Sequence, residues 1–185
     1  MPGDLERDGH LTGAMSERIR RLAEHAVHAG AQGVLFTCSA FGEAIASAAC
    51  AMVVPVMRPE EAMFQAAMRS GQRIGLLATF EPAVAPMTRD FLAEAAACGL
   101  YPSVDVVCVP AAITAARAGD VATHNRLLAE AAPRLAHCDA VMLAHFSTST
   151  ALEDVKAVLN CPVFSSPDAA VDAMRSRLHL ADAAT

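Results

Sequence analysis

Short runs of apolar, often β-branched residues alternate along the chain with longer alanine-rich stretches whose apolar residues recur at helical spacing. Strands that are apolar throughout are typical of parallel sheets, because helices cover both faces of such a sheet. We therefore predict an α/β fold with parallel sheets flanked by helices. The predicted strands are 33–37, 53–57, 73–78, 104–109, 140–144 and 162–164, and the predicted helices are 12–29, 41–51, 59–70, 82–98, 111–137 with a break near Gly119, 149–159 and 166–180.

An internal repeat adds to this pattern. The segment VLFTC at 34–38 resembles VMLAH at 141–145, and PVM at 55–57 resembles PVF at 162–164. Cys38 lies 17 residues before Pro55, and His145 lies 17 residues before Pro162. Alanine-rich strand–helix units resemble one another in any case, but the shared spacing favours two related halves. We expect two pseudo-symmetric lobes.

The repeat also predicts the domain bounds. The first lobe is 1–72 and carries Cys38, the second is 73–164 and carries His145, and 165–185 is a C-terminal helix expected to pack back on the first lobe. The second half begins with extra strands and a helix at 73–109, whose counterparts in the first half would precede Met1. We therefore expect a first lobe that lacks its N-terminal strands.

Composition excludes several classes of partner. The net charge of −6, the absence of Trp and the single Tyr argue against binding to nucleic acid or to an anionic membrane. No apolar run reaches the ~18 residues of a membrane span, and the polar N-terminus is unlike a secretory signal. Six cysteines without a C-x-x-C pair indicate reduced thiols, and we expect a cytoplasmic protein.

Ligands of open parallel sheets bind beyond the carboxyl ends of the strands. The residues that follow the predicted strands are therefore candidates for a site. Single serines and threonines at such places commonly act as helix N-caps, so their grouping around a cysteine is what favours a ligand site. The candidates are Thr37, Cys38 and Ser39, then Thr79, then His145, Ser147 and Thr148, and finally Ser165.

Cys38 is the one cysteine between a predicted strand and a predicted helix start, where the helix N-terminus lowers the pKa of a thiol. A thiolate there can abstract a proton or attack carbon. We interpret the other five, Cys50, Cys98, Cys108, Cys138 and Cys161, as packing residues. His145 occupies the position of Cys38 in the other half; it is either a second acid or base or a hydrogen-bonded structural histidine.

Four segments resemble the Asp/Glu/hydantoin racemase superfamily, whose relatives include arylmalonate decarboxylase and maleate isomerase. They are GVLFTCSAFG at 33–42, RIGLLATFEP at 73–82, VMLAHFSTS at 141–149 and CPVFSSP at 161–167. The resemblance implies two pseudo-symmetric, flavodoxin-like lobes with a cleft between them, and cofactor-independent proton transfer at the carbon next to a carboxylate.

The same resemblance implies roles for individual residues. Cys38 matches the catalytic cysteine of the first lobe, Thr37 and Ser39 match its flanking substrate-contacting positions, and Thr79 matches a hydroxyl of the second lobe. His145 stands where two-cysteine members have their second catalytic thiol. This departure leaves the symmetrical two-thiol mechanism open to question.

Three functions remain open at this point. The first is a cofactor-independent racemase or isomerase acting on an amino acid or related small carboxylate, with Cys38 as base or nucleophile and His145 as the opposite acid. The second is a single-cysteine decarboxylase or cis–trans isomerase. The third is a family member that binds a small carboxylate without catalysis. We expect no cofactor and no metal, and a homodimer fits an exposed sheet edge.

Overall fold

A computed structural model of the chain describes residues 4, 7–8, 10–37 and 41–182. It divides into two compact units. The first unit consists of Met1–Glu61 together with Ala170–Thr185, and the second is Ala62–Ala169. These bounds differ from the lobes at 1–72, 73–164 and 165–185, which stay a prediction.

The first unit contains a two-stranded parallel sheet within the described residues. Helix α1 (Gly13–His28) precedes strand β1 (Val34–Leu35), and helix α2 (Gly42–Ala51) precedes strand β2 (Val56–Met57). Thr12 caps α1, because its hydroxyl accepts a hydrogen bond of 3.3 Å from the Met15 amide. Gly30 ends the turn after α1 with a φ of 94°, a conformation that glycine adopts without strain.

The core of this unit lies between α1, α2 and the short sheet. Its buried side chains come from one face of each helix, from the residue before α2 and from β2, and they are Met15, Ile19, Ala23, Phe41, Ala44, Ile45, Ala48 and Val56. The C-terminal end of the chain belongs to the same unit. There the Met174 thioether packs closely against Gly33: a Cβ atom at position 33 would lie only 2.5 Å from the Met174 sulfur. In the same segment, Arg177 Nη2 lies 2.5 Å from Glu61 Oε1.

The second unit is a four-stranded parallel sheet with the order β4-β3-β5-β6. Its strands are β3 (Arg73–Ala78), β4 (Ser103–Cys108), β5 (Ala140–Leu143) and β6 (Val163–Ser165). Its helices are α3 (Glu61–Ser70), α4 (Val84–Ala97), α5 (Pro110–Arg117), α6 (Val121–Ala131) and α7 (Leu152–Lys156), with 3₁₀ turns at Glu81–Ala83, Ala132–Leu135 and Phe146–Ala151. Helix α8 (Ser166–Asp182) follows β6, and its residues from Ala170 onward belong to the first unit.

Apolar side chains cover both faces of this sheet. One face packs Leu77, Val107 and Leu143 against Leu128 of α6 and Val155 of α7. The other packs Ile74, Leu76 and Met142 against α3 and α4, where the rings of Phe64 and Phe91 meet edge to face with their centroids 5.3 Å apart. Burial on both faces explains why β3 and β5 are apolar without alternation, and it confirms the predicted α/β fold with parallel sheets flanked by helices.

Element positions agree closely with the sequence pattern in the second unit. The predicted break near Gly119 is confirmed, since this glycine separates α5 from α6 with a φ of 79°. The strand predicted at 53–57 is shorter in the structure, where β2 covers Val56–Met57 alone. Val53 is 96% exposed, so its apolar side chain does not pack in a core. Among the described residues, no helix is both long and apolar enough to cross a membrane.

Candidate functional site

The carboxyl edge of the four-stranded sheet brings together several residues that carry reactive groups. Cys108 ends β4 beside Ala78 of β3, and Thr79 follows directly. On the other side of β3, the Ala144 amide donates to the Leu77 carbonyl over 2.9 Å, which places His145 one residue beyond this ladder. Four neighbouring strands thus present Cys108, Thr79, His145 and Ser165 along one edge, as the parallel topology predicts.

His145 has an unusual backbone. Its φ of 73° and ψ of 154° make it the one non-glycine residue of the described chain with positive φ. A side chain in this region costs about 1–3 kcal/mol, and such residues persist where the surroundings hold them. They concentrate at functional sites, so the conformation singles out His145 among the edge residues.

Hydrogen bonds from the following 3₁₀ turn hold this conformation. The buried Thr148 hydroxyl lies within hydrogen-bond reach of the carbonyls of Ala144 and His145, the second at 2.8 Å. The Ser149 hydroxyl donates to the Phe146 carbonyl over 2.7 Å. Asn125 of α6 donates its side-chain amide to the Thr150 carbonyl over 2.7 Å, which ties the turn to a helix on the sheet face.

The imidazole of His145 is half-buried, and its Nε2 atom is fully shielded without a hydrogen-bond partner among the described residues. Burial lowers the pKa of His145 below its usual value, because the charged form loses solvation. The side chain is therefore neutral at neutral pH. Buried polar atoms rarely lack a partner, so Nε2 is suited to a proton exchanged with a bound ligand.

The predicted hydroxyls fall into two groups. Thr148 and Ser165 donate their hydroxyl protons to groups within the protein. The Thr148 hydroxyl donates to the Ala144 carbonyl, and the Ser165 hydroxyl donates to the Asp168 carboxylate. The Ser165 oxygen also accepts a hydrogen bond from the Asp168 backbone amide at the start of α8. This reciprocal pairing is a helix cap. Thr79 is buried and Ser147 is exposed at the same edge.

The first unit carries the remaining predicted site residues. Thr37 is exposed just after β1. Cys38 and Ser39 lie outside the described residues, so their roles stay predictions.

Glu81 lies at the carboxyl edge without any indication in the sequence pattern, and it contacts Cys108, which the pattern indicates as a packing residue. Burial and a hydrogen bond with Glu81 raise the pKa of the Cys108 thiol to about 11. This cysteine therefore stays a thiol at neutral pH and is a poor nucleophile there. The alternating pattern could have placed Cys108 at a strand end, but nothing local in the sequence pairs it with Glu81.

The interpretation of five cysteines as packing residues is correct in part. Cys138 is buried, and Cys108 and Cys161 are partly buried against core clusters. Cys50 and Cys98 are exposed near the C-terminal ends of α2 and α4, so the interpretation is wrong for these two. Cys50 lies on the face of α2 opposite its buried residues, whereas Cys98 follows the last residue of α4 as its C-cap.

A second cluster lies near the amino end of the sheet. Asp105 of β4, His137 and Cys138 direct one donor atom each toward a common point, and these atoms all lie within 4.8 Å of one another. Among the described residues this is the one group of three or more side chains of these types that could hold a metal ion.

Solved structures of known proteins share this fold. The glutamate racemase isoform RacE1 from Bacillus anthracis matches with a TM-score of 0.60 and 18% identity, over 89% of this chain and 65% of that chain. Unliganded arylmalonate decarboxylase matches with a TM-score of 0.67 and 19% identity, over 91% and 77% of the two chains. Allantoin racemase from Klebsiella pneumoniae matches with a TM-score of 0.67 and 21% identity, over 90% and 65%.

These likenesses establish the fold, and the chain spans 65% of the length of the two racemases. No curated protein matches the chain in sequence. A family model described as Asp/Glu/Hydantoin racemase matches residues 5–107, which is more than half of the 185 residues. The chain therefore belongs to the Asp/Glu/hydantoin racemase family.

Proposed function

We propose that the protein is a cofactor-independent racemase or isomerase that moves a proton at the carbon next to a carboxylate. The substrate class is an amino acid or a related small acid. The observation that carries the proposal is the buried Nε2 of His145, which has no hydrogen-bond partner in the described part of the chain and which a strained backbone holds at the carboxyl end of β5. A group held in this way at a sheet edge is suited to proton transfer with a ligand.

The chemistry requires two groups that exchange one proton each with the substrate. One takes the proton from the carbon, and the electron pair of the broken C–H bond delocalises into the adjacent carboxylate. The other then delivers a proton to the opposite face of the same carbon. We assign these two roles to Cys38 and His145, the two residues at equivalent positions of the sequence repeat.

The lowered pKa of His145 favours a neutral imidazole in the resting enzyme. Proton transfer through the pair needs one proton on it, so the proposed resting pair is a neutral imidazole and a Cys38 thiol. In that state His145 takes the proton first and Cys38 returns one, which leaves an imidazolium and a thiolate. The opposite enantiomer is processed from this second state, with Cys38 as base and His145 as acid.

Donors that stabilise the developing negative charge complete the proposal. Such preorganised donors commonly supply the largest share of catalysis. Thr79 and Ser147 are the proposed donors in the second unit, and Thr37 and Ser39 are those of the first. Thr148 and Ser165 have hydroxyl protons already engaged, so we assign them to holding the His145 turn and the start of α8.

Proton NMR in D₂O tests the proposal directly. Amino acids, hydantoins and small diacids are incubated with the protein and with its Cys38→Ser and His145→Gln variants, and Cys98→Ser serves as the control with an exposed thiol replaced. We expect an α-proton signal to disappear with wild type and control and to disappear far more slowly with the two site variants. Undiminished exchange in either site variant would remove that residue from the mechanism.

A one-sided reaction is the second candidate. His145 in place of a second thiol, together with the structural likeness to arylmalonate decarboxylase, favours a decarboxylase or a cis–trans isomerase that protonates one face. Incubation of substituted malonates in D₂O separates this candidate from the first. Release of CO₂ with deuterium incorporated in one hand of the product, and no exchange with amino acids, would favour it.

A binding protein without catalysis is the third candidate, because the departure at His145 would also suit a family member that lost turnover. Its signature is a rise in melting temperature with a small carboxylate while no deuterium enters that ligand. Deuterium incorporation would exclude it.

A further inference from the structure

Three unlike side chains meet near the amino end of β4, and the proposed proton transfer uses none of them. Asp105 projects from β4, and His137 and Cys138 lie in the turn that leads into β5. His137 Nε2 is 2.7 Å from Asp105 Oδ2, and Cys138 Sγ is 3.8 Å from that nitrogen and 3.9 Å from that oxygen.

The arrangement differs from a catalytic triad. In a triad, one ring nitrogen of the histidine holds the carboxylate while the other takes the proton of the nucleophile. In this cluster the carboxylate and the thiol both face the same nitrogen, Nε2 of His137. A proton relay through the ring is therefore impossible, whereas three donor atoms around one point are the geometry of a chelate.

We propose that Asp105, His137 and Cys138 form a binding site for Zn²⁺. Tetrahedral zinc with bonds of about 2.3 Å to sulfur and about 2.0–2.1 Å to nitrogen and oxygen places sulfur roughly 3.6 Å from the other two ligands. The observed separations of 3.8 and 3.9 Å are close to this value. His137 Nε2 and Asp105 Oδ2 are 2.7 Å apart and must move apart by about 0.6 Å to bind the same ion. This increase is expected because the metal replaces the proton that the two atoms share.

The chemistry of the three ligands selects the metal. Thiolate and imidazole are preferred by zinc, whereas magnesium and calcium prefer oxygen ligands alone. The fourth position remains for water, because the side chains of His137 and Asp105 are 55% and 52% exposed. Exposure on this side also allows the ion to enter without opening the core, while Cys138 anchors the site to the buried cluster beneath.

The position of the site indicates a structural role. Asp105 pairs with Gly75 near the start of β3, and the Asp139 amide beside Cys138 donates to the Arg73 carbonyl over 2.7 Å. The carboxyl edge at Thr79 lies four residues beyond Gly75, about 13 Å further along the strand. A bound ion would therefore join the edge strand β4 to the turn before β5 without contacting His145.

Titration of the full-length, reduced and metal-free protein with Zn²⁺ tests the proposal, with Co²⁺ as the spectroscopic probe. We expect one ion per chain, a cobalt–thiolate charge-transfer band and a melting temperature that rises with zinc concentration. His137→Gln and Asp105→Asn replace exposed groups and should each weaken binding at least about tenfold, since even outer partners of ligands have effects of this size. Cys138→Ser should abolish the charge-transfer band.

Three variants control for metal bound elsewhere. Cys98→Ser and His28→Gln replace exposed groups outside the cluster, and Cys38→Ser removes the thiol predicted to be reactive. All three should bind zinc as the wild type does. The proposal is overturned if the wild type binds no stoichiometric zinc, or if His137→Gln and Asp105→Asn both leave the affinity unchanged. A cobalt–thiolate band that disappears in Cys38→Ser and persists in Cys138→Ser would overturn it equally.

Discussion

The strand pairs β1–β2 and β5–β6 share one register and differ in their surroundings. Val34 faces Val56 in the first pair and Val141 faces Val163 in the second, so partners are 22 residues apart in both. The spacing of the sequence repeat is thus reproduced in backbone pairing. The side chains of β1 are half-buried, whereas every residue of β5 is buried.

The difference follows from the neighbours of each strand. β5 lies between β3 and β6 with apolar clusters on both faces, while β1 pairs with β2 alone among the described strands. A strand that is fixed on every side can hold a strained residue at its end, as His145 shows. Local spacing therefore determines the register, and the tertiary environment determines what the strand can support.

The largest expected effect tests whether Cys38 and His145, the two residues at equivalent positions of the sequence repeat, are equivalent in function. Cys38→Ser and His145→Gln should each lower turnover by about 10²–10⁴, the usual contribution of a general acid or base. Each variant should also lose α-proton exchange with one enantiomer more than with the other, because each group serves one face. Enantiomer-resolved NMR in D₂O measures both. Equal loss with both enantiomers in both variants would contradict the assignment of one group to each face.

The second prediction concerns the different burial of matching strand positions. Met142 and Leu35 occupy the same place in the repeat, but Met142 is almost fully buried and Leu35 is not. Met142→Ala should lower the free energy of unfolding by about 2–5 kcal/mol, as expected for a buried side chain. Leu35→Ala should cost less than half as much. Urea denaturation followed by circular dichroism measures both, and equal losses would show that β1 is as deeply buried as β5.

The third prediction concerns the strain at His145. His145→Gly and His145→Ala both remove the imidazole, but only glycine adopts the observed φ without cost. We expect the glycine variant to be more stable than the alanine variant by about 1 kcal/mol, despite the greater freedom of glycine in the unfolded chain. Thermal unfolding of the two variants provides the comparison. An alanine variant at least as stable as the glycine variant would show that the backbone at this position is not strained.

Much of the fold was predictable from local pattern, because strand–helix alternation and caps such as Thr12 act over a few residues. Which apolar residues are buried was less predictable, because Val53, Cys50 and Cys98 are apolar and yet exposed. The position of His145 at a strand end was predictable from the repeat. Its positive φ was not, because only glycine marks such a conformation in a sequence. Asp105 and His137 are 32 positions apart and meet only through the sheet register, which no local spacing reveals.

The smallest expected effect is the dependence of stability on pH. Burial lowers the pKa of His145 in the folded state, so between that pKa and the unfolded value of about 6.5 the unfolded chain binds more protons. The free energy of unfolding should therefore fall as pH drops below about 6.5, and this contribution should vanish above it. Chemical denaturation of wild type and His145→Gln from about pH 8 to about pH 5 isolates it, because the other titrating groups cancel in the difference. We expect the wild type to lose stability relative to the variant on acidification. A constant difference across this range would mean that the imidazole is as well solvated in the folded protein as in the unfolded chain, and His145 would then lack the burial that makes it a resting base.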